Sequence, residues 1–154
     1  MRSPPDIGLG MTTSMYRELA KAWRKPHESY IAELMRGRLI AWRRQPAIVR
    51  VDKPTKLHTA RKIGYKAKPG VVVVRVRVRK GSGEKPRPRS GRRPKALGVK
   101  KLKRGLSKQR IAEGRVLKKY PNLKLMGSYY VWEDGVYEWY ECILCDPQVI
   151  GKNH

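Results

Sequence analysis

VVVVRVRVR, at residues 71–79, is the clearest strand signal in this chain of 154 residues. Val and Arg alternate strictly in its second half, so a strand places the Val side chains on one face and the Arg side chains on the other. Arg75, Arg77 and Arg79 are then expected to face outward, about 6 to 7 Å apart, which approaches the phosphate spacing of a nucleic-acid strand. The alternative is an edge strand whose cations prevent aggregation, and both interpretations can hold together.

Helix and strand signals alternate through the rest of the chain. Ser14 is a candidate N-cap for a first helix that Pro26 stops, and Ser107 is a candidate N-cap for a helix that Tyr120-Pro121 stops. The predicted helices cover residues 14–24, 28–44, 55–63 and 107–119, and the predicted strands cover 47–52, 71–79, 123–132 and 136–146.

The dipeptide Asp134-Gly135 predicts a tight hairpin between the last two strands, because Gly readily takes the positive φ that a two-residue turn requires. Local hairpin pairing and short connections favour an antiparallel sheet. The predicted fold class is therefore α+β: a small antiparallel sheet of about four strands with helices packed on it, together with long basic loops and extensions.

The segment RKGSGEKPRPRSGRRPKALGVKKLKRG, at residues 79–105, contains twelve Lys or Arg, five Gly and three Pro among 27 residues. Such a segment cannot bury enough apolar surface to offset the entropy of ordering it, and its cations repel one another without a polyanion. It is interpreted as a basic arm that becomes ordered against phosphate. The alternative is a solvated linker between two domains.

The charge of the whole chain also indicates a polyanionic partner. It carries 37 basic and 12 acidic residues, a net charge of +25. Residues 1–120 hold 35 of the basic residues, whereas residues 121–154 hold two basic and five acidic residues. No run of 18 apolar residues or secretory signal is visible, and two Cys in such a protein indicate a reducing compartment.

The motifs give little support to catalysis. Cys142 and Cys145 form a Cys-x-x-Cys pattern, but the three scattered His residues do not complete a zinc site, and a strand would point the two Cys to opposite faces. They are interpreted as small buried hydrophobes. Carboxylates such as Glu138 and Asp146 are interpreted as solvated face residues. The sequence therefore predicts no enzyme, no metal and no cofactor.

The aromatic side chains supply bulk in a chain that has no Phe. Those of the last two strands are interpreted as core and protein-contact residues, because that segment is net acidic. Trp23 and Tyr65 lie beside cations and are predicted to stack on unpaired bases, a contact worth roughly 1–3 kcal/mol.

Three blocks carry a resemblance to a known family. They are the segment from AWRKPHESYIAELM through GYKAKPGVVVVRVRVRKG, then KPRPRSGRRPK, then KKYPNLKLMGSYYVWEDGVYEWYECILCDP. From Met15 to Pro147 the chain resembles the "fifteen-e" family of large-subunit ribosomal proteins of archaea and eukaryotes, in its shorter, archaeal form. The resemblance implies a cytoplasmic structural component of the large subunit without enzymatic activity, an αβ domain, and long basic loops that thread through rRNA.

The resemblance also sets the expected domain boundaries. Residues 1–14 are expected to be an extension, because family chains usually begin near Met15, and residues 15–147 are expected to form the domain that bears the basic arm. Residues 148–154 are expected to be a tail. The expected partners are large-subunit rRNA and neighbouring ribosomal proteins, and the hairpin at 123–146 is expected to contact the proteins. Neither a membrane nor a second copy of the chain is an expected partner.

The expected mechanism is assembly by charge neutralisation, in which Lys acts as a point charge and Arg adds bidentate and stacking contacts. A chromatin-like DNA-binding protein is the alternative, supported by net charge alone. An RNA-modifying enzyme would need a cofactor site that the sequence does not show. The predicted RNA-binding residues are Trp23, Arg24, Lys25, Arg43, Arg44, Arg50, Lys53, Lys56, Arg61, Lys62, Tyr65, Lys66, Lys68, Arg75, Arg77, Arg79, Lys80, Lys85, Arg87, Arg89, Arg92, Arg93, Lys95, Lys100, Lys101, Lys103 and Arg104.

Overall fold

Helices cover both faces of a four-stranded antiparallel sheet. A computed structural model describes residues 14–81, 90–97 and 105–150. The order of strands in the sheet is β1-β2-β4-β3, and all three neighbouring pairs are antiparallel. The elements are α1 (Met15–Arg24), α2 (Ile31–Arg44), β1 (Ile48–Val51), α3 (Leu57–Lys62), β2 (Val71–Arg79), a 3₁₀ helix (Pro94–Ala96), α4 (Lys108–Lys119), β3 (Lys124–Glu133), β4 (Tyr137–Cys145) and α5 (Pro147–Ile150).

The predicted fold class is confirmed, and both predicted serine caps are present. The hydroxyl of Ser14 accepts a hydrogen bond from the Arg17 backbone N–H at the start of α1. Ser107 does the same for the Arg110 N–H at the start of α4. Each cap satisfies a backbone donor that has no partner within the first turn of a helix.

Two predicted helices begin later than their sequence pattern indicated. α2 begins at Ile31 rather than near residue 28, because the Ser29 hydroxyl donates to the Ala22 and Pro26 carbonyls and holds this segment in a turn. α3 begins at Leu57 rather than at Thr55, whose backbone and side chain are both bonded to a carboxylate of β4. Both differences arise from hydrogen bonds to other parts of the chain.

The sheet separates two apolar cores. On one face, Met35, Leu39 and Trp42 of α2 pack against Val73 and Trp139, and part of α1 joins this cluster. On the other face, Ala112 and Val116 of α4 pack against the Val side chains at 74, 76 and 78 of β2. The alternation predicted for β2 is therefore confirmed, but neither of its faces is free of helices.

The hairpin between β3 and β4 forms at the predicted place with a different turn. Gly135 does not take a positive φ. Instead, the Asp134 carboxylate accepts hydrogen bonds from the backbone N–H groups of Val136 and Tyr137, at 2.7 and 2.5 Å, and the Asp134 N–H donates to the Tyr137 carbonyl. The side chain of Asp134 thus supplies the turn contacts, as short polar side chains do in Asx turns.

Helix α5 was not predicted, and it returns the end of the described chain to the start of β2. The Asp146 N–H donates to the Gly70 carbonyl at 2.8 Å. Gly70 has φ +85°, and a Cβ placed there would lie 2.8 Å from a methyl carbon of Val149. Gly70 therefore permits both the left-handed backbone and the close approach of α5.

We expect Gly70→Ala to lower the free energy of unfolding by about 1–3 kcal/mol, because it adds backbone strain and overpacking at one position. Gly114 is the matched control, since it lies in the interior of α4 with open space around it. Gly114→Ala should raise stability by about 0.5–1 kcal/mol. Urea unfolding of both variants measures the contrast, and equal midpoints would contradict it.

Within the described residues, no helix combines the length and the apolar character that crossing a lipid bilayer requires.

Candidate nucleic-acid interface

The acidic residues of β4 lie inside the protein, and their interpretation as solvated face residues is wrong. Glu141 is fully buried. Its carboxylate accepts hydrogen bonds from the Thr55 N–H at 2.9 Å, from the Thr55 hydroxyl at 2.5 Å and from the Tyr129 hydroxyl at 2.5 Å. Burial and the neighbouring Glu141 carboxylate raise the pKa of Tyr129 well above its ordinary value. Glu141 therefore joins β4, β3 and the segment before α3.

The other carboxylates near the hairpin are neutralised by partners within the protein. Glu138 is buried and accepts hydrogen bonds from the Lys108 ammonium and, at 2.6 Å, from the Tyr140 hydroxyl. Burial alone would raise the pKa of Glu138, but these bonds outweigh it and the pKa is lowered. Asp134 is bonded to Arg43 at 2.7 Å, and Glu133 forms an ion pair with Lys80 at 3.0 Å.

Because of these contacts, the C-terminal segment exposes less negative charge than its composition indicates. The C-terminal segment is net acidic by composition, yet Glu138 and Glu141 are buried and the Asp134 side chain is only 6% exposed. Cations elsewhere on the surface are therefore opposed by fewer exposed anions than the composition suggests. The resulting field favours a polyanionic partner.

The three Arg residues of β2 share one face of the sheet, but their exposure increases along the strand. Arg75 is 9% exposed; its guanidinium donates to the Gln45 side chain at 2.7 Å and lies 3.9 Å from the centre of the Trp42 ring. Burial lowers the pKa of Arg75. Arg77 is half-buried over Tyr137 and donates to the Arg43 carbonyl.

Arg79 is exposed at the end of the strand. The prediction that all three guanidinium groups face outward is therefore wrong for Arg75 and incomplete for Arg77. The reason is that the C-terminal end of α2 covers this face of β2, and a strand pattern contains no information about that packing.

The two predicted stacking aromatics have different environments. Tyr65 is 6% exposed and belongs to the core beneath α2, so the prediction that it stacks on bases is not supported by its position. Trp23 is half-buried at the end of α1, where its ring meets Trp132 edge-on at 6.3 Å between centroids. The Lys56 ammonium lies 4.6 Å from the centre of the Trp23 ring.

The interpretation of the two Cys as small buried side chains is correct for Cys142 but incomplete for Cys145. Cys142 is fully buried against α4, and burial raises the pKa of its thiol to about 12. Cys145 is half-buried. No group of three or more potential metal ligands occurs in residues 14–81, 90–97 or 105–150. The thiol of Cys142 acts as a small apolar side chain at neutral pH.

A cationic surface is formed where α1 and α3 pack together, which we call the α1–α3 face. Arg17, Arg61 and Lys62 are exposed there, and Lys21 is exposed about one helical turn beyond Arg17 on α1. Within the described residues, none of these four side chains forms an ion pair or a hydrogen bond with the protein. A groove between the helices is lined by Tyr16, Arg17, Ala20, His58, Arg61 and Lys62.

The cations of α4, on the opposite side of the sheet, are mostly engaged with the protein. Lys108 binds Glu138, Arg115 donates to the Arg77 carbonyl, and Lys119 donates to the Ile48 carbonyl. A side chain that is held by such a contact is less available to bind a phosphate group. The α1–α3 face is thus the better candidate for binding a polyanion.

Sequence reasoning missed Arg17 and Lys21 in this surface. The available signal was their helical spacing, since residues four apart lie on one side of a helix. Of the residues it did predict, the structure finds exposed Arg24, Lys25, Arg43, Arg44, Arg50, Lys53, Arg61, Lys62, Lys66, Arg79, Arg92, Arg93 and Lys95; half-buried Trp23, Lys56, Lys68, Arg77 and Lys80; and buried Tyr65 and Arg75. Lys85, Arg87, Arg89, Lys100, Lys101, Lys103 and Arg104 lie outside the described residues.

Lys56 is a structural as well as a charged residue. Its ammonium donates to the Tyr130 carbonyl at 2.9 Å and lies over the rings of Trp23 and Tyr130. Burial lowers its pKa from 10.5 to about 8, although the Glu141 carboxylate acts in the opposite direction.

This lowered pKa predicts a pH dependence of stability. Because the folded state releases the Lys56 proton near pH 8 and the unfolded state only near pH 10.5, the unfolded state binds more protons between these values and stability rises with pH. We expect this rise to be smaller in Lys56→Met. Urea unfolding of both proteins between pH 7 and 10 measures the difference, and parallel curves would refute the assignment.

The sequence of this chain is similar to a known protein family. The family model described as Ribosomal L15 matches residues 14–152, which is nearly the whole chain.

Proposed function

Because this chain belongs to the Ribosomal L15 (L15e) family, a family of structural components of the large ribosomal subunit, we propose that it binds large-subunit rRNA chiefly through the α1–α3 face. The family membership confirms the resemblance seen in the sequence. It also makes the chain part of a ribonucleoprotein that serves translation, whose partners are rRNA and other ribosomal proteins.

The observation that carries this proposal is the difference between engaged and unengaged charges. The carboxylates of the hairpin are buried or paired within the protein. Three cations of α4 are also engaged, one by Glu138 and two by backbone carbonyls. The four cations named on the α1–α3 face have no such partner among the described residues. Free cations on a rigid surface are the groups that can replace the counterions of a phosphate backbone.

The chemistry of the two cation types suggests separate roles on this face. Arg61 and Arg17 can form bidentate contacts with phosphate, and the guanidinium of Arg61 already lies 5.8 Å from the centre of the Tyr16 ring. Lys21 and Lys62 act as flexible point charges. Such contacts position folded RNA by shape and backbone, without reading base edges.

The basic arm at 79–105 extends the proposed interface. In its described part, Arg92, Arg93 and Lys95 are exposed around the short 3₁₀ helix. We assign the arm the role of threading between rRNA segments on the basis of its composition, since a chain with so many cations and so few apolar residues gains order from a polyanion.

The hairpin of β3 and β4 is the proposed contact with neighbouring ribosomal proteins. β3 is an edge strand, and Met126 and Val136 are 36% and 49% exposed on the hairpin. An exposed strand edge with apolar side chains suits pairing with another protein chain.

The test is the binding of the full chain to a large-subunit rRNA fragment and to random duplex DNA of equal length, each at increasing salt. We expect tighter binding to the rRNA, with a slope of log K against log salt on the order of −5 if about six phosphates are neutralised. Equal or tighter binding to the duplex DNA would overturn the proposal and favour a chromatin-like function.

A further inference from the structure

A cavity of ≈ 500 Å³ opens beside the α1–α3 face, between the end of α1 and strand β3. Its walls are aromatic and are formed by Trp23, His27, Tyr130 and Trp132, and Val131 also lines it. This volume lies within the usual range of small-ligand sites. We call it the Trp23–Trp132 pocket.

The rings of this pocket stand at angles to one another. Trp23 meets Trp132 edge to face, with an interplanar angle of 71°, and both indoles are half-buried, so part of each remains exposed at the pocket. His27 is exposed and lies 5.4 Å from the Trp132 ring, tilted by 47°. Aromatic walls set at angles can hold a planar ring by stacking on one wall and edge contact with another.

The charges around the pocket leave it cationic. Glu133 and Asp134 lie at its rim, but Glu133 is paired with Lys80, and Asp134 is paired with Arg43. Arg24 also lines the pocket, and its side chain has no ion pair within the described part of the chain. The exposed Arg24 guanidinium makes the rim suited to an aromatic group attached to phosphate.

The pocket and the groove of the α1–α3 face are both lined by residues of α1. Tyr16 and Trp23 are seven residues apart on α1, which is nearly two helical turns, so they project from the same side about 10 Å apart. Tyr16 lies against Arg61 of α3, whereas Trp23 lies against Lys56, which precedes α3. A phosphate backbone held along the groove would therefore pass the mouth of the pocket.

We propose that the Trp23–Trp132 pocket receives an unpaired base of large-subunit rRNA, while the α1–α3 face holds the adjoining backbone. This inference rests on the proposed rRNA binding and adds to it a stacking contact with a base. Proteins commonly bind single-stranded RNA through bases that turn out of the strand and stack on aromatic side chains, His or Arg. A stacked base contributes roughly 1–3 kcal/mol to binding.

The positions of the four Trp residues allow a direct test in the full chain. Trp42 and Trp139 are buried in the core, at 6% and 1% exposure, whereas Trp23 and Trp132 line the pocket. A base stacked in the pocket should quench the fluorescence emission of Trp23 and Trp132 and leave that of Trp42 and Trp139 unchanged. The probes are a ten-residue single-stranded oligoadenylate and an abasic sugar-phosphate chain of the same length and charge.

We expect saturating oligoadenylate to quench about half of the tryptophan emission, since two of the four Trp residues line the pocket, and the abasic chain to quench little of it. Dye-labelled probes report binding separately, and we expect oligoadenylate to bind roughly 10-fold more tightly, as one stacked base implies. A double variant, Trp23→Phe with Trp132→Phe, removes both indoles of the pocket and should lose the quenching.

The outcomes separate this inference from the proposed function. Equal affinity and equal quenching with the two probes would overturn the base-binding pocket while leaving electrostatic RNA binding intact. Quenching that persists in the double variant would also overturn it, as would an emission unaffected by RNA, which is the result expected of a pocket that a protein segment fills. If neither probe nor the rRNA fragment binds at low salt, both proposals fail.

Discussion

Replacing Glu141 with Ala is expected to lower the free energy of unfolding by about 3–5 kcal/mol, although the residue is charged. The carboxylate is fully buried and accepts three hydrogen bonds from Thr55 and Tyr129. Its removal leaves these donors without partners inside the protein, and each unsatisfied buried donor costs about 1–3 kcal/mol.

The matched control for this prediction is Glu133→Ala. Glu133 is also a hairpin glutamate, but its side chain is 49% exposed and, within the described residues, it pairs only with Lys80. An exposed ion pair contributes about 0–1 kcal/mol, so this variant should unfold close to the wild type. Urea unfolding of the two variants compares them directly. A loss below 1 kcal/mol in Glu141→Ala would show that the buried carboxylate does not hold the sheet to the segment before α3.

The second large effect concerns rRNA affinity. The triple variant Arg17→Gln, Arg61→Gln, Lys62→Gln removes three exposed cations from the α1–α3 face. Affinity depends on salt with an exponent of about −0.8 per neutralised phosphate, so three lost contacts lower the affinity about 100-fold at 0.15 M salt. The slope of log K against log salt should become shallower by about 2 to 3.

An equal change of charge elsewhere separates this face from the overall charge of the protein. Arg110, Lys118 and Lys124 are exposed on α4 and at the start of β3, and their three Gln substitutions give the same net charge. We expect this second variant to keep a slope close to that of the wild type. Equal losses in both triple variants would show that binding depends on total charge rather than on the α1–α3 face.

Local patterns in the sequence were sufficient to predict most of the elements. Ser14 and Ser107 marked helix starts, and the alternation of Val and Arg in β2 gave the correct faces. These signals depend on residues within one turn or one strand, where steric and hydrogen-bonding preferences act directly. Even the hairpin was placed correctly, although the Asp134 carboxylate rather than a left-handed Gly135 forms its turn.

The environment of charged side chains was not predictable in the same way. Arg75 is covered by Trp42 and Gln45 from α2, about thirty residues earlier in the chain. Glu141 is bonded to Thr55, 86 residues away. Burial of a charge depends on whether a partner from a distant element reaches it, and neither composition nor period contains that information. The candidate site therefore consists of cations that have no protein partner among the described residues.

The most direct test of the α1–α3 face as the rRNA-binding surface is the labelling of lysines by an amine-reactive reagent. The free full chain and intact large subunits are labelled under the same conditions and compared by mass spectrometry. We expect Lys21 and Lys62, which are exposed in the protein alone, to react in the free chain and to be protected in the subunit. Lys118 of α4 is also exposed and should react in both. Protection of Lys118 together with full labelling of Lys21 and Lys62 in the subunit would contradict the account.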